Sequence, residues 1–111
     1  MTIVFQDAVS EQVPTSSTLL YTAPSNVLSA IISMCNVTCE DALGSSVTIN
    51  IVKNGDSASL SNRYAIKSIA ATTSEVISEV IGLTLKAGDF ISVSAADADR
   101  LNLKMTIKEI T

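Results

Sequence analysis

The amino-acid sequence predicts an all-β fold: a single-domain antiparallel β-sandwich, jelly-roll-like, of about eight strands. Turn signals recur roughly every 8–12 residues, a spacing typical of sandwiches and jelly rolls. The clearest example lies at residues 82–95, where a short strand ends at Lys86-Ala87-Gly88-Asp89 and the next strand alternates strictly. Gly88 adopts a positive φ without steric cost, and Asp89 can bond its own backbone. With 111 residues, one domain is expected.

Composition indicates an aliphatic core that needs no covalent or metal support. Hydrophobic residues make up 47% of the chain and aromatic residues only 4%, with no tryptophan, and the mean hydropathy is +0.41. A chain of this size and apolar content buries enough surface to fold without disulfides or a bound metal. The core is therefore expected to consist of isoleucine, valine, leucine and alanine, with serine and threonine on exposed strand faces.

The charge balance argues against two classes of partner. The net charge is -4 and the pI is 4.5. No cluster of basic residues stands out, so we expect no nucleic-acid partner. No apolar stretch approaches the roughly 20 residues of a membrane helix, and the first residues lack the basic and apolar regions of a signal peptide. We therefore expect synthesis in the cytoplasm and no membrane partner.

Residues 1–17 are predicted to form an N-terminal arm or an edge strand, ahead of a sandwich domain at residues 18–111. Ile3, Val4 and Phe5 form an apolar patch, and a polar stretch that ends at a proline follows. Alone, so short a segment buries too little surface to offset its ordering entropy. Two alternatives stand equally: the patch docks on another protein, for example by adding a strand to an exposed edge, or it is the first strand of the chain's own sandwich.

The strands of the domain follow from alternation and from turn residues. Pro24 ends the first of them, because proline has no N–H to donate to a ladder. In the last strand Leu103, Met105 and Ile107 are expected to point inward, and Lys104, Thr106 and Lys108 outward. The predicted strands are residues 18–22, 27–37, 47–52, 63–69, 74–81, 82–85, 90–95 and 101–110.

Three of these segments need further argument. A buried helix competes for residues 27–37, but β-branched residues favour a strand, whose one face is predicted to hold Leu28, Ala30, Ile32 and Met34. Residues 74–81 are ambiguous between strand and helix, and a strand is expected because Ile77 stands where a capping box needs Glu or Gln. Asn54-Gly55 after residues 47–52 is a strong hairpin signal.

The two cysteines are predicted to be free and buried. Cys35 and Cys39 lie on one strand, where their Cα atoms would be roughly 13 Å apart. A disulfide needs a separation below about 7 Å. The spacing is wrong for a zinc knuckle, and no histidine is present to complete one. Two buried thiols are consistent with folding in a reducing compartment.

No constellation of residues favours an enzyme or a cofactor. The absence of histidine excludes Ser-His and Cys-His nucleophile pairs. Glu40-Asp41 and Asp97-Ala98-Asp99 are the tight acidic groups, and turn chemistry explains them better than glycosidase chemistry or Ca²⁺ binding. No phosphate-binding loop occurs. Arg63-Tyr64 is either an interface anchor, since both residue types are enriched in hot spots, or an ordinary strand start.

Several segments resemble the small β-sandwich structural proteins of tailed bacteriophages, which include capsid decoration (cement) proteins and modules of tails and fibres. The resemblance covers residues 18–110, apart from residues 38–45 and 56–81. It rests on Leu20-Tyr21-Thr22-Ala23-Pro24-Ser25, the strand Ile31 to Val37 with Asn36 near its end, Leu85-Lys86-Ala87-Gly88-Asp89-Phe90-Ile91-Ser92-Val93-Ser94-Ala95 and the closing Ile107-Lys108-Glu109-Ile110. It implies a non-enzymatic particle component, commonly trimeric, bound at junctions between major capsid subunits.

The expected function is that of a decoration protein, which binds the outside of a phage capsid and stabilises it. A 111-residue chain that begins at Met1 favours a stand-alone protein over the alternative of a tail or fibre module. A carbohydrate-binding sandwich is less favoured because aromatic residues are scarce. The expected partners are the major capsid protein and two further copies in a homotrimer. The candidate contact residues are Ile3, Val4, Phe5, Arg63 and Tyr64.

Overall fold

A computed structural model describes all residues from Met1 to Thr111 and contains nine strands and one short 3-10 turn. No helix is long and apolar enough to span a membrane. The strands are β1 (Ile3–Ser10), β2 (Thr18–Thr22), β3 (Ser29–Cys39), β4 (Ser45–Val52), β5 (Arg63–Ile69), β6 (Thr73–Val76), β7 (Thr84–Leu85), β8 (Phe90–Ala95) and β9 (Leu101–Ile110), and the 3-10 turn is Leu60–Asn62.

The strands form two antiparallel sheets with jelly-roll connectivity. The first sheet has the order β1-β9-β3-β6, with β7 also paired to β3, and the second sheet has the order β2-β8-β4-β5. The first strand thus pairs with the last, β2 with β8, β3 with β6 and β7, and β4 with β5. This is one long hairpin rolled across two sheets. The predicted all-β jelly-roll sandwich is confirmed, with β6 and β7 sharing one of its eight positions.

An aliphatic core lies between the sheets. Ile32, Ile49, Ile91, Met105 and Ile107 are among its fully buried side chains. The alternation predicted for β8 and β9 is confirmed, since the inward positions of both strands are buried along their length. The core therefore follows from period-two patterning on the strands that occupy the centre of each sheet.

A bulge in β3 overturns one predicted face. Met34 was expected beside Ala30 and Ile32, but its side chain is 47% exposed, whereas Ala30 and Ile32 are buried. The register with β9 shifts between Ile32 and Met34, so that Ser33 is an extra residue there. An extra residue reverses the side to which every later side chain points. Cys35 therefore points into the core and Met34 points outward.

The connection between β4 and β5 is longer than a tight hairpin turn. The two strands are antiparallel neighbours, as the Asn54-Gly55 signal indicates, but residues 53–62 join them. This loop folds back on the outer side of the second sheet. The Asn50 amide nitrogen donates to the Ser59 carbonyl and to Asn62 Oδ1, each at 2.8 Å. The loop is therefore fixed to the sheet by a buried polar side chain.

The ambiguous segment at residues 74–81 is a strand only in its first part. β6 ends at Val76, and turns follow in which Ile77 and Val80 are buried. The segment stays attached to β3, because the Ile77 N–H donates to the Cys35 carbonyl (3.0 Å) and the Gly82 N–H donates to the Ile32 carbonyl (2.7 Å). The two buried side chains explain the apolar pattern that was predicted as a strand to residue 81.

Candidate interaction surface

The outer side of the first sheet carries an exposed apolar surface, which we call the open face. Strand alternation directs one side chain in two away from the core, and on this sheet many of those are apolar. Phe5 is 62% exposed, Val9 54% and Val76 50%. The members of the open face are Ile3, Phe5, Val9, Ile31, Met34, Val76 and Ile110.

The strand register places the members of the open face on neighbouring strands, with polar side chains of β9 between them. Ile3 lies opposite Ile110, and Phe5 lies opposite Lys108, which in turn lies opposite Ile31. Side chains directly opposite in an antiparallel pair have Cβ atoms about 5 Å apart and touch their neighbours. The face therefore extends from the edge strand β1 across β9 to β3. Exposed apolar side chains grouped among polar residues in this way are typical of sites of protein–protein contact.

Two lysines lie within the open face. Lys104 and Lys108 point outward from β9, the second strand of the sheet. Neither forms an ion pair: the two ion pairs of the molecule are Lys67–Glu79 (3.7 Å) and Arg100–Asp97 (3.4 Å). Asp7 points outward between Phe5 and Val9 and is exposed, so the surface carries two positive charges and one negative charge. A partner with exposed apolar side chains and with carboxylates near the two lysines would complement it.

The outer side of the second sheet is different, because the chain covers its centre. Asn50, Val52 and Ser92 point outward, yet all three are buried. Residues 53–62 lie over Asn50, and the Ser17 hydroxyl pairs with the Ser92 hydroxyl. We call this the covered face, defined by these three residues. Apolar side chains remain exposed only around it, such as Leu19 and Ile66.

The structure separates the candidate contact residues into two places. Ile3 and Phe5 belong to the open face, while Val4 points to the inner side of β1 but remains 41% exposed at that edge. Arg63 and Tyr64 lie on β5, the edge strand of the second sheet. β1 is the edge of the first sheet on the β2 side, and β5 lies on the β6 side. These two groups therefore do not form one site within a chain.

Sequence patterning missed most of the open face. Met34 was placed on the same face as Ala30 and Ile32 because the bulge at Ser33 leaves no local signal, and Val76 lies in the ambiguous segment. Lys104 and Lys108 were predicted to point outward, which is confirmed. The pairing of β1 with β9 could not be read locally either, because those strands stand at opposite ends of the chain.

The Asp89 side chain joins two loops at one end of the sandwich by hydrogen bonds. Its carboxylate accepts the Lys86 N–H and the Asn54 N–H, both at 2.9 Å, and the side chain is buried. Gly88 has φ 87°, and a Cβ there would lie 2.6 Å from Asn54 Cγ. The Gly88-Asp89 turn therefore joins the β7–β8 connection to the start of the loop over the covered face.

The acidic groups act in turns. Asp97 accepts a hydrogen bond from the Ser45 hydroxyl at 3.0 Å and pairs with Arg100. Asp41 Oδ1 accepts the Leu43 N–H at 2.9 Å, which is an Asx turn. No group of three or more histidine, cysteine, aspartate or glutamate side chains is arranged to hold a metal ion. These contacts support the turn interpretation for Asp41 and Asp97.

The cysteines are free and buried, as predicted. Both are fully enclosed on the inner side of β3. Burial raises the pKa of the Cys35 thiol to about 12. The Cys39 thiol donates to the Leu43 carbonyl at 3.4 Å. A buried, protonated thiol is a poor nucleophile, so Cys35 serves as a small apolar residue of the core.

One polar contact joins the two sheets inside the sandwich. The Tyr21 hydroxyl on β2 donates to the buried carboxylate of Glu109 on β9. Burial raises the pKa of Tyr21 above its ordinary value, and the hydrogen bond to Glu109 raises it further. The tyrosine therefore stays protonated and satisfies a carboxylate that would otherwise be buried without a partner.

Comparisons with known proteins agree on the fold. No protein-family model matches the chain, and no curated protein matches it. Among solved structures, a chain of the Bacillus endospore appendages, a family of disulfide-linked pili, aligns over 98% of this chain and 88% of its own, with TM-score 0.57 and 18% identity. A chain from the acid-stable capsid of Helicobacter pylori bacteriophage KHP30 aligns over 99% of this chain and 89% of its own, with TM-score 0.55 and 8% identity. The same fold thus occurs in building blocks of a pilus and of a phage capsid.

Proposed function

We propose that this protein is a non-enzymatic structural component of a virus particle, a decoration protein that binds the outside of a phage capsid and stabilises it. The observation that carries the proposal is the open face: exposed apolar side chains on β1, β3 and β6, interspersed on the same sheet with two unpaired lysines and with Asp7. Its partner on this proposal is the major capsid protein, and the protein is located on the capsid exterior.

Three further features support a structural role. The fold is shared with a chain from a phage capsid. The two thiols are buried, and the acidic groups are held in turns. The sandwich is joined internally by the Tyr21–Glu109 contact and at one end by Asp89. A surface that is already formed on a folded sheet loses little conformational entropy on docking, which favours stable attachment.

Capsid co-sedimentation tests the proposal. A major capsid gene beside this one would identify the particle, and undecorated capsids of that protein are the binding probe. Met34→Glu places a charge in the open face at an exposed position, so we expect the chain to fold normally and to lose capsid binding at least tenfold. Leu60→Glu is the matched control, because Leu60 is 78% exposed in the loop over the covered face. Equal binding by both variants would show that the open face is not the attachment surface.

The second candidate is a repeating subunit of a fibre, such as a tail or fibre module. The likeness to a pilus chain favours it, since that chain shares the fold over nearly its whole length. Electron microscopy of the purified protein separates the two functions. Filaments formed without capsids favour the fibre subunit, whereas discrete oligomers that bind capsids favour the decoration protein.

A homotrimer is the oligomer that we propose for the decoration protein. Closed cyclic symmetry lets one pair of surfaces be used repeatedly, and exposed apolar side chains occur on both outer sides of the sandwich. Sedimentation velocity at micromolar concentration should show a species three times the 11.6 kDa chain mass. A single species at the chain mass would refute the trimer.

A further inference from the structure

The edge strands of the two sheets differ in how well they are protected against pairing. β2 has five residues and a register shift, and β6 and β7 have four and two residues. β1 has eight residues, no register shift along β9, and neither proline, lysine nor arginine. Proteins usually protect edges with those residues, with bulges or with short strands. β1 is therefore the one long and regular edge, and Asp7 is its only charged side chain.

The free main-chain groups of β1 can be assigned. Thr2 and Thr111 exchange both main-chain hydrogen bonds, at 3.2 and 2.9 Å. Antiparallel pairing alternates from that point, so the even-numbered residues of β1 bond to β9. The N–H and C=O groups of Ile3, Phe5, Asp7 and Val9 point away from the sheet. This row of donors and acceptors is available to another strand.

β5 is the next longest edge, with seven residues. The Ala96 N–H donates to the Ser46 carbonyl at 2.9 Å. The main-chain groups of the even-numbered residues of β4 therefore point toward β8, and those of the odd-numbered residues point toward β5. By that alternation the main-chain groups of Ile66 and Ser68 point away from the sheet. Tyr64 is the extra residue of a bulge at the start of the strand, so the regular part of the edge is residues 65–69.

We propose that β1 of one copy pairs with β5 of the next copy, so that the first sheet of one chain continues into the second sheet of its neighbour. Charge favours this pairing over self-pairing of either strand. β1 carries Asp7 and no basic residue, whereas β5 carries Arg63, which forms no ion pair within the chain, and Lys67, whose charge is already paired with Glu79. Pairing two β1 strands would bring two aspartates to the contact, and pairing two β5 strands would bring two unpaired Arg63 side chains to it.

The same contact unites the two groups of candidate contact residues. Ile3 and Phe5 are exposed at one edge, and Tyr64 and Ile66 are exposed at the other. They cannot meet within a chain, but a head-to-tail contact places them side by side. Such a contact uses a different surface on each copy, so it closes into a ring or continues as a filament. The inference rests on the proposed self-association and is independent of capsid attachment.

Proline variants of the two edges test the pairing. Asp7→Pro and Ile66→Pro each remove an edge N–H that makes no bond within the chain, and Asp7→Ala and Ile66→Ala are the matched controls. In sedimentation velocity, each proline variant should be a monomer, while each alanine variant should still self-associate. An equimolar mixture of the two proline variants should form a one-to-one dimer and nothing larger, because each retains one intact edge.

Other outcomes would overturn the pairing. Self-association of Ile66→Pro but not Asp7→Pro would mean that β1 pairs with itself, and unchanged self-association of both would exclude the edges altogether. If a proline variant fails to fold by circular dichroism, charge reversal replaces it: Asp7→Arg and Arg63→Asp should each weaken assembly, and the double variant should restore it. Failure of restoration refutes the contact. Assembly through these edges without capsid binding would refute only the decoration function.

Discussion

Strand alternation directs side chains to the outer side of both sheets, but those at the centre of the second sheet are buried and those of the first sheet are exposed. On the second sheet Asn50, Val52 and Ser92 point outward and are buried beneath the chain's own segments. On the first sheet, outward apolar residues such as Phe5 and Met34 stay exposed. The chain thus covers two polar side chains and a valine on one sheet and leaves larger apolar side chains exposed on the other, although burial of apolar area is what stabilises a fold. Apolar side chains that stay exposed despite this loss of stability are available to bind another protein.

The largest expected effect concerns the point at which the loop over the covered face, residues 53–62, is attached to the sandwich. Asp89→Ala removes the acceptor of two main-chain N–H groups, those of Asn54 and Lys86. Hydrogen bonds to charged groups contribute most, so we expect a loss of about 3 kcal/mol in the free energy of unfolding. Urea unfolding measures it. Asp56→Ala in the same loop is the control, because Asp56 is exposed, and an equal loss there would show that Asp89 is not the attachment point.

Val52 and Phe5 allow the most direct comparison of the two faces. Both point outward, but Val52 is fully buried and Phe5 is 62% exposed. Val52→Ser should lower the free energy of unfolding by about 2 kcal/mol, because it leaves a cavity and a buried hydroxyl. Phe5→Ser should change it by no more than about 0.5 kcal/mol. Similar losses in thermal and urea unfolding would mean that the open face is also part of the core.

Asn50 on the second sheet and Asn36 on the first sheet both point outward, so they allow a further comparison of the two faces. Asn50 is buried and holds the loop through two bonds of 2.8 Å, whereas Asn36 on the first sheet accepts one bond of 3.2 Å from Ser74. Asn50→Ala should destabilise by about 1–2 kcal/mol and expose residues 53–62 to proteolysis. Asn36→Ala should do neither. Limited proteolysis followed by mass mapping gives the cleavage sites, and resistance of the Asn50 variant would contradict the anchoring role.

The smallest effect concerns the hydrogen bond between Tyr21 and Glu109, which joins the two sheets inside the sandwich. Tyr21→Phe leaves the buried Glu109 carboxylate without its donor and should cost about 1 kcal/mol below pH ~10. Because the pKa of Tyr21 is raised in the folded protein, its stabilisation is present below the unfolded pKa, about 10, and is lost as the pH rises through the folded value. The difference between wild type and variant should therefore shrink above pH ~10 in urea unfolding. Tyr64→Phe is the exposed control, and a pH-independent difference for Tyr21 would refute the titration.

Much of the fold was predictable because its signals are local. The strands 18–22, 63–69, 90–95 and 101–110 were predicted with the bounds that the structure shows. The hairpin at Asn54-Gly55 was right in its pairing, but the loop at residues 53–62 is longer because Asn50 holds it against the sheet. The open face was only partly predictable: Ile3, Phe5, Lys104 and Lys108 carried a signal, whereas Met34 and Val76 did not.

The sequence by itself determined the class of fold, the aliphatic composition of the core and the burial of the two free thiols. Each depends on residue type and on period-two alternation, which act over a few neighbouring positions. Tertiary structure alone decided that Ile3–Ser10 pairs with Leu101–Ile110, that Ser33 is an extra residue in β3, and that one outer side is covered and the other open. The physical reason is that register and coverage are set by which distant strands meet, and a one-residue shift exchanges inside for outside.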